Sequence, residues 1–310
     1  MWLLFAFVSA ALLGFYDVFK KQSLKNNPVV PVLTLNTLFC SLIFLPFIIL
    51  SALGLISESS LFYVPVCGWE VHKYVLLKAL IVLLSWFSGY VAIKHLPLTI
   101  VGPINATRPV MVLLGAILAF GEHLNLYQWI GVSLAIIGFF MLSRSGKREG
   151  IDFRHNRWIA LAVLAAVFGA VSALYDKFLL APVGEGGAGL NRMAVQSYFM
   201  IYQFVLMFLV CLRIRRADTP EHPNNGLKGF RWHWAIPLIS IFLAAADFVY
   251  FYALSIPGAL ISVVSMIRRS SVIVSFTVGA LIFREKNLRA KAFDLILVLL
   301  SLVFLYLGSK

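Results

Sequence analysis

The sequence predicts an all-α integral membrane protein, with ten transmembrane helices arranged as two inverted five-helix repeats around a central cavity. Three observations predict it: a composition unsuited to water, ten apolar runs of span length, and a second half that repeats the first in order.

Of the 310 residues, 61% are hydrophobic and 13% charged, against roughly 45–50% and about 25% in soluble domains. So little polar surface cannot cover a water-soluble globule, which makes lipid the solvent. A net charge of +13 would suggest nucleic acid in a soluble chain. Here the basic residues fall in short connections between apolar runs, so the charge reports membrane topology and no nucleic-acid partner. Cys40, Cys67 and Cys211 form no CxxC pair and no zinc spacing with histidine. Residues 2–13 lack the basic n-region and cleavage site of a signal peptide, so they read as a retained first span.

A span needs about 20 mostly apolar residues. The runs that meet this are 2–20, 29–50, 73–94, 98–120, 125–143, 157–180, 193–213, 232–254, 258–283 and 289–308. They are apolar on all faces, which fits helices and not the alternating strands of a barrel. The connection 181–192 is glycine-rich and reads as a flexible loop. Lysines and arginines in alternate connections number 18 on one side and 3 on the other. The positive-inside rule puts the 18 in the cytoplasm of an inner-membrane protein and both termini outside.

The halves 1–146 and 147–310 resemble each other at an offset of about 160 residues. Tyr16-Asp17 matches Tyr175-Asp176, Tyr90 through Leu96-Pro97 matches Tyr250 through Ile256-Pro257, and Arg108 falls on Arg268. Phe120-Gly121-Glu122 then matches Phe283-Arg284-Glu285 after a short slippage. Five spans is an odd number, so the second copy enters the membrane upside down. Inverted repeats of this kind are a transporter architecture, with solute bound near mid-membrane between the halves.

In the first half, Pro109 stands in the fourth run, Glu122 ends it, and the fifth carries Gly131 and Gly138, seven residues apart on one helix face. The second half keeps Glu285, while Arg269, Asp294 and Ser301 replace the proline and the two glycines. With the duplication, this pattern resembles the EamA-type members of the drug/metabolite transporter superfamily over nearly the whole chain. The resemblance implies two five-span repeats and carriage of small organic solutes, driven by a coupling proton or a counter-substrate. Members of that family are usually drawn with both termini inside, opposite to the charge count.

An ionisable residue at mid-membrane costs roughly 2.5–3.5 kcal/mol on insertion scales and usually faces an interior with a partner. Arg108, Arg268 and Arg269 lie about ten residues into their runs, beyond snorkelling reach. Asn105 shares a helix face with Arg108, whereas Arg268 and Arg269 point about 100° apart. The opposing charges are Asp17, Asp176 and Asp247, the last one turn before Tyr250. Tyr16 and Tyr175 add hydroxyls beside the first two. Lys20 and Lys177 are candidate partners for Asp17 and Asp176. Lys78 and Asp294 lie near span ends and read as snorkelling side chains. Tyr198 and Tyr202 share one helix face, and Trp2, Trp69, Trp129, Trp158, Trp232 and Trp234 fall at span ends as an aromatic belt.

The expected activity is a secondary transporter moving a small organic solute, anionic or zwitterionic, by alternating access. Arg108, Arg268, Arg269, Asp247, Asp17, Asp176, Asn105, Tyr250, Tyr16 and Tyr175 would form its pathway. Expected partners are the solute, the lipid bilayer and a coupling proton or counter-substrate, in a monomer or homodimer. No cofactor, metal or catalytic residue is implied. The alternatives are a non-transporting scaffold or sensor and, further off, a membrane-embedded enzyme; the latter needs a nucleophile–base pair or metal set that the sequence does not display.

Overall fold

A computed structural model describes residues 2–112, 125–147, 155–216, 229–256, 264, 267–268, 270–283 and 288–308. Ten α-helices have both ends within them, and among the described residues no strand occurs. In chain order the helices are α1 (Trp2–Leu24), α2 (Val29–Ala52), α3 (Trp69–His95), α4 (Leu98–Ala106) and α5 (Leu126–Lys147). The others are α6 (Arg157–Leu180), α7 (Arg192–Arg216), α8 (Ala235–Ser255), α9 (Ser271–Phe283) and α10 (Leu288–Leu307). Six of them, α1, α2, α3, α6, α7 and α8, are long and apolar enough to cross a membrane. Large apolar side chains such as Leu4, Phe7, Leu84, Ile136 and Leu281 face outward, which is stable only where the surroundings are themselves apolar.

Local sequence explains where the helices begin and end. Asn156 accepts the amide of Trp158 at the start of α6 (2.9 Å), and Asn191 accepts those of Met193 and Ala194 at the start of α7, satisfying donors with no helical partner. Helix α3 has Glu70 in its first turn and Lys94 and His95 in its last, complementing the helix dipole. Trp69, Trp129, Trp232 and Trp234 stand exposed at or just before helix starts, as an interfacial belt requires.

The packing forms a closed circuit of neighbours: α2, α8, α1, α9, α4, α6, α3, α7 and back to α2. Helices α5 and α10 lie outside the circuit, packed on each other and against α4. Gly131 and Gly138 are buried in α5. Small polar side chains join the circuit. Ser9 donates to the Ala246 carbonyl (2.7 Å), Ser85 to that of Ala165 (2.8 Å), and Ser240 to Asn36 Oδ1 (2.9 Å). Such hydrogen bonds and close packing hold helices together where lipid offers no hydrophobic drive.

Helix α1 meets α9 at Gly14. A Cβ there would lie 2.5 Å from Val274 Cβ and 2.9 Å from the Ser271 carbonyl oxygen. Backbone cannot swing aside as a side-chain tip can. Gly14→Val is therefore expected to destabilise the protein by about 1–3 kcal/mol through overpacking, seen as a lowered Tm of the purified chain. An unchanged Tm would show that α1 and α9 separate there at no cost.

Two expectations are corrected. The runs 98–120 and 258–283 read as continuous helices, yet α4 ends in a turn at Thr107 before helix resumes at 108–112, and a turn at Ser270 precedes α9. Pro109 has no amide to bond Asn105, so the ladder lapses there. At both breaks a hydroxyl donates three residues back, Thr107 Oγ1 to Ile104 (2.7 Å) and Ser270 Oγ to Ile267 (2.6 Å), competing with the helical pattern. The glycine-rich segment 181–190 is not a free loop. Its amides at Ala188, Gly189 and Leu190 bond the carbonyls of Phe178, Ala181 and Leu179, with Gly186 and Gly189 supplying positive φ. Asp294, Glu122 and Glu285 yield no side-chain geometry: Glu122 and Glu285 lie outside the described residues, as does the Asp294 side chain.

Candidate functional site

A cavity of about 140 Å³ opens inside the helix circuit. Its walls come from α1, α3, α4, α6, α8 and α9, with Phe199 of α7 and the arginines beside the two helix breaks. Both halves contribute to it: α1, α3 and α4 lie before residue 147, and α6, α8 and α9 after it.

Of the residues expected in the pathway, Tyr16, Asp17, Asn105, Arg108, Asp176, Asp247, Tyr250 and Arg268 all line this cavity. Arg269 lies outside the described residues. Tyr175 does not line it: its hydroxyl donates to the Tyr74 carbonyl (3.2 Å) and its ring stacks on Phe178. It is the residue just before Asp176, and the 100° step of the helix carries it off the cavity face.

The charges pair in a definite pattern. Arg268 bonds Asp247, linking the segment before α9 to α8, and its guanidinium lies 4.2 Å from the Tyr250 ring centre. Lys20 bonds Asp17 on the same helix (2.6 Å), with its ammonium 4.2 Å from the Tyr16 ring and 5.3 Å from Tyr90. Asp176 bonds Lys78 across α3 and α6, while Lys177 is exposed. Arg108 Nη2 donates to Asn105 Oδ1 (3.0 Å). Its guanidinium lies against Gly169 of α6, where a Cβ would fall 2.5 Å from Cζ and Nη1.

Lys78 corrects the snorkelling expectation: its side chain is 2% exposed, and it packs over Phe199 and Phe251 (4.9 and 5.4 Å). Helix α3 starts at Trp69 and not at residue 73, which carries Lys78 about 13.5 Å along the axis from the helix start. Sequence reasoning also leaves Trp86 and Gly169, which line the cavity, out of the pathway; Gly169 has only the small-residue character of its surroundings as a signal.

Outside the cavity, the paired face of Tyr198 and Tyr202 meets the start of α3. Tyr202 shares a hydrogen bond with His72 Nδ1 (2.9 Å), and Tyr198 donates to the Pro65 carbonyl (3.1 Å). At the other end of α3, Lys21 donates to the carbonyls of Ile93 (2.5 Å) and Leu96 (2.6 Å), tying the end of α1 to that of α3.

A protein of known crystal structure, 15% identical, shares this fold with a TM-score of 0.64 over 99% of this chain and 97% of its own. A search of curated proteins finds no matching sequence. The family model of the EamA-like transporters matches residues 1–144. With six helices long and apolar enough to cross a membrane, the chain reads as a multi-pass membrane protein. Residues 1–144 are therefore similar to the EamA-like transporter family.

Proposed function

We propose that the protein is a secondary carrier in the cytoplasmic membrane, moving a small organic solute by alternating access through the cavity inside its helix circuit. The observation that carries this reading is the cavity itself, a space walled by helices of both halves and lined, among the described residues, with seven charged side chains (Asp17, Lys20, Lys78, Arg108, Asp176, Asp247 and Arg268). Charges in a membrane interior are costly and mark solute or ion pathways. The ten spans would form inverted repeats 1–146 and 147–310. The packing supports that division: exchanging each helix for its repeat partner, α1 for α6 through α5 for α10, maps the circuit of neighbours onto itself. A pseudo-two-fold in the membrane plane makes inward- and outward-open arrangements near-equivalent in energy, and rocking between them moves the solute. A proton or a counter-substrate drives the cycle, and the unit is a monomer or homodimer.

The test is solute flux in proteoliposomes holding the purified chain, with reporters fused at residue 1 and after residue 146 to read topology. Flux above empty liposomes, with the two reporters on opposite faces, is expected. Flux absent across a metabolite panel, or reporters on one face, would leave a scaffold or sensor in place of a carrier.

A further inference from the structure

Charge balance around the cavity is uneven. Among the described residues, four cations line it, Lys20, Lys78, Arg108 and Arg268, against three carboxylates, Asp17, Asp176 and Asp247. Each carboxylate already holds one cation, Lys20, Lys78 and Arg268 respectively. Among the described residues, Arg108 is left with one neutral hydrogen-bond partner, Asn105, and its buried Nε–H has none. Asp17 is near enough to act on Arg108 electrostatically, but its bonded partner is Lys20.

The repeat explains the imbalance. Arg268 is neutralised by Asp247 of α8. At the offset of 160 that aligns Tyr90 with Tyr250, the position equivalent to Asp247 is Phe87, whose side chain is exposed on the outer surface. The first half thus keeps the arginine of the duplicated pair without its carboxylate. Gly169 leaves clearance that any side chain would fill, and the guanidinium occupies it.

We propose that Arg108 is the recognition cation for a small organic monoanion of the carboxylate class, which supplies the counter-charge that Asn105, its one hydrogen-bond partner among the described residues, does not. The inference deepens the carrier reading and rests on it for transport, but not for binding. One uncompensated positive charge calls for one negative charge. A phosphate monoester carries about −1.5 to −2 at neutral pH and overshoots it. A zwitterion's ammonium would need a carboxylate, and all three aspartates are engaged. The planar guanidinium matches a carboxylate's two oxygens. The rest of the solute meets a mixed wall, apolar at Leu13, Val82, Trp86 and Phe251 and hydroxylated at Ser85, Ser172, Ser271 and Ser275. A cavity of about 140 Å³ compares with an engineered apolar one of about 150 Å³ that takes benzene, which sets the scale of a benzene ring or a short chain.

The test is thermal unfolding of the purified full chain with benzoate or hexanoate, against benzamide, phenyl phosphate and phenylalanine as probes. Ligands that bind the folded state raise its apparent Tm. Benzoate or hexanoate should raise the Tm with concentration, the other three should not, and R108Q should weaken the effect at least tenfold, with R108K keeping part of it. If R108Q elutes as an aggregate, R108K against wild type carries the comparison through its reduced affinity. Equal shifts from benzamide or phenylalanine, no shift from either carboxylate, or an undiminished shift in R108Q overturns the proposal. Uptake of labelled benzoate into proteoliposomes separates the two readings. Binding without uptake sinks the carrier and leaves the anion site standing; uptake of other solutes that R108Q leaves untouched does the reverse.

Discussion

Gly169→Ala is expected to weaken benzoate binding at least tenfold, about 1.4 kcal/mol, while leaving thermal stability unchanged or slightly higher. The two effects have separate causes. Gly169 is in the interior of α6, where alanine is favoured over glycine by about 1 kcal/mol. The added Cβ would sit 2.5 Å from Arg108 Cζ and Nη1 and 2.8 Å from Nε. Those atoms end a flexible side chain, so the guanidinium can move aside at small cost to the fold. In moving, it leaves Asn105, which holds it at 3.0 Å, and the position from which it faces the cavity. Titration of benzoate by calorimetry, beside a melting curve of the same preparation, separates the terms. A variant that loses stability in proportion to binding would mean that Gly169 serves packing alone. One that binds benzoate as wild type does would mean that the Arg108 position is not set by this contact.

Much of the architecture is legible in the sequence because it depends on one-dimensional quantities. Apolar run length sets the helices, and a spacing near 160 residues aligns Arg108 with Arg268 and Tyr90 with Tyr250. The i, i+3 relation of Asn105 to Arg108 is also local, and the two do bond. What sequence does not convey is which way each helix is turned and what stands opposite. Asp176 has Lys177 beside it in the chain, yet meets Lys78, 98 residues away, because successive residues on a helix diverge by about 100°. The same rotation takes Tyr175 away from the cavity. Lys78 is hidden by a four-residue difference in where α3 begins. The breaks at Thr107 and Ser270 come from local hydrogen bonds that hydropathy does not register. They place Arg108 and Arg268 beside non-helical turns, the kind of interruption that membrane carriers tolerate where backbone lines a cavity.

Lys78→Met is expected to be the most destabilising of the single changes considered, at about 3–5 kcal/mol, because it leaves a buried carboxylate without its counter-charge. Lys78 and Asp176 are 2% and 10% exposed at their side chains, so neither can draw on solvent to replace the other. Against a typical total stability of about 5–15 kcal/mol, such a loss should lower the Tm by many degrees and reduce the yield of folded protein. The double change K78M/D176L removes both charges and keeps similar volume. Replacing a buried ion pair with packed apolar groups is often neutral or stabilising, and the methionine side chain would still lie between Phe199 and Phe251, which flank the ammonium now. Most of the lost stability is therefore expected to return. Transport should not return with it. Both side chains line the cavity and join α3 to α6, and α6 also carries the glycine against which Arg108 rests. An apolar wall there removes two of the seven charged groups the solute would pass and leaves nothing to break and re-form between α3 and α6 as the cavity changes its opening. Full recovery of both Tm and flux in the double variant would make the pair a structural clasp with no part in the pathway; recovery of Tm alone assigns it to the transport cycle.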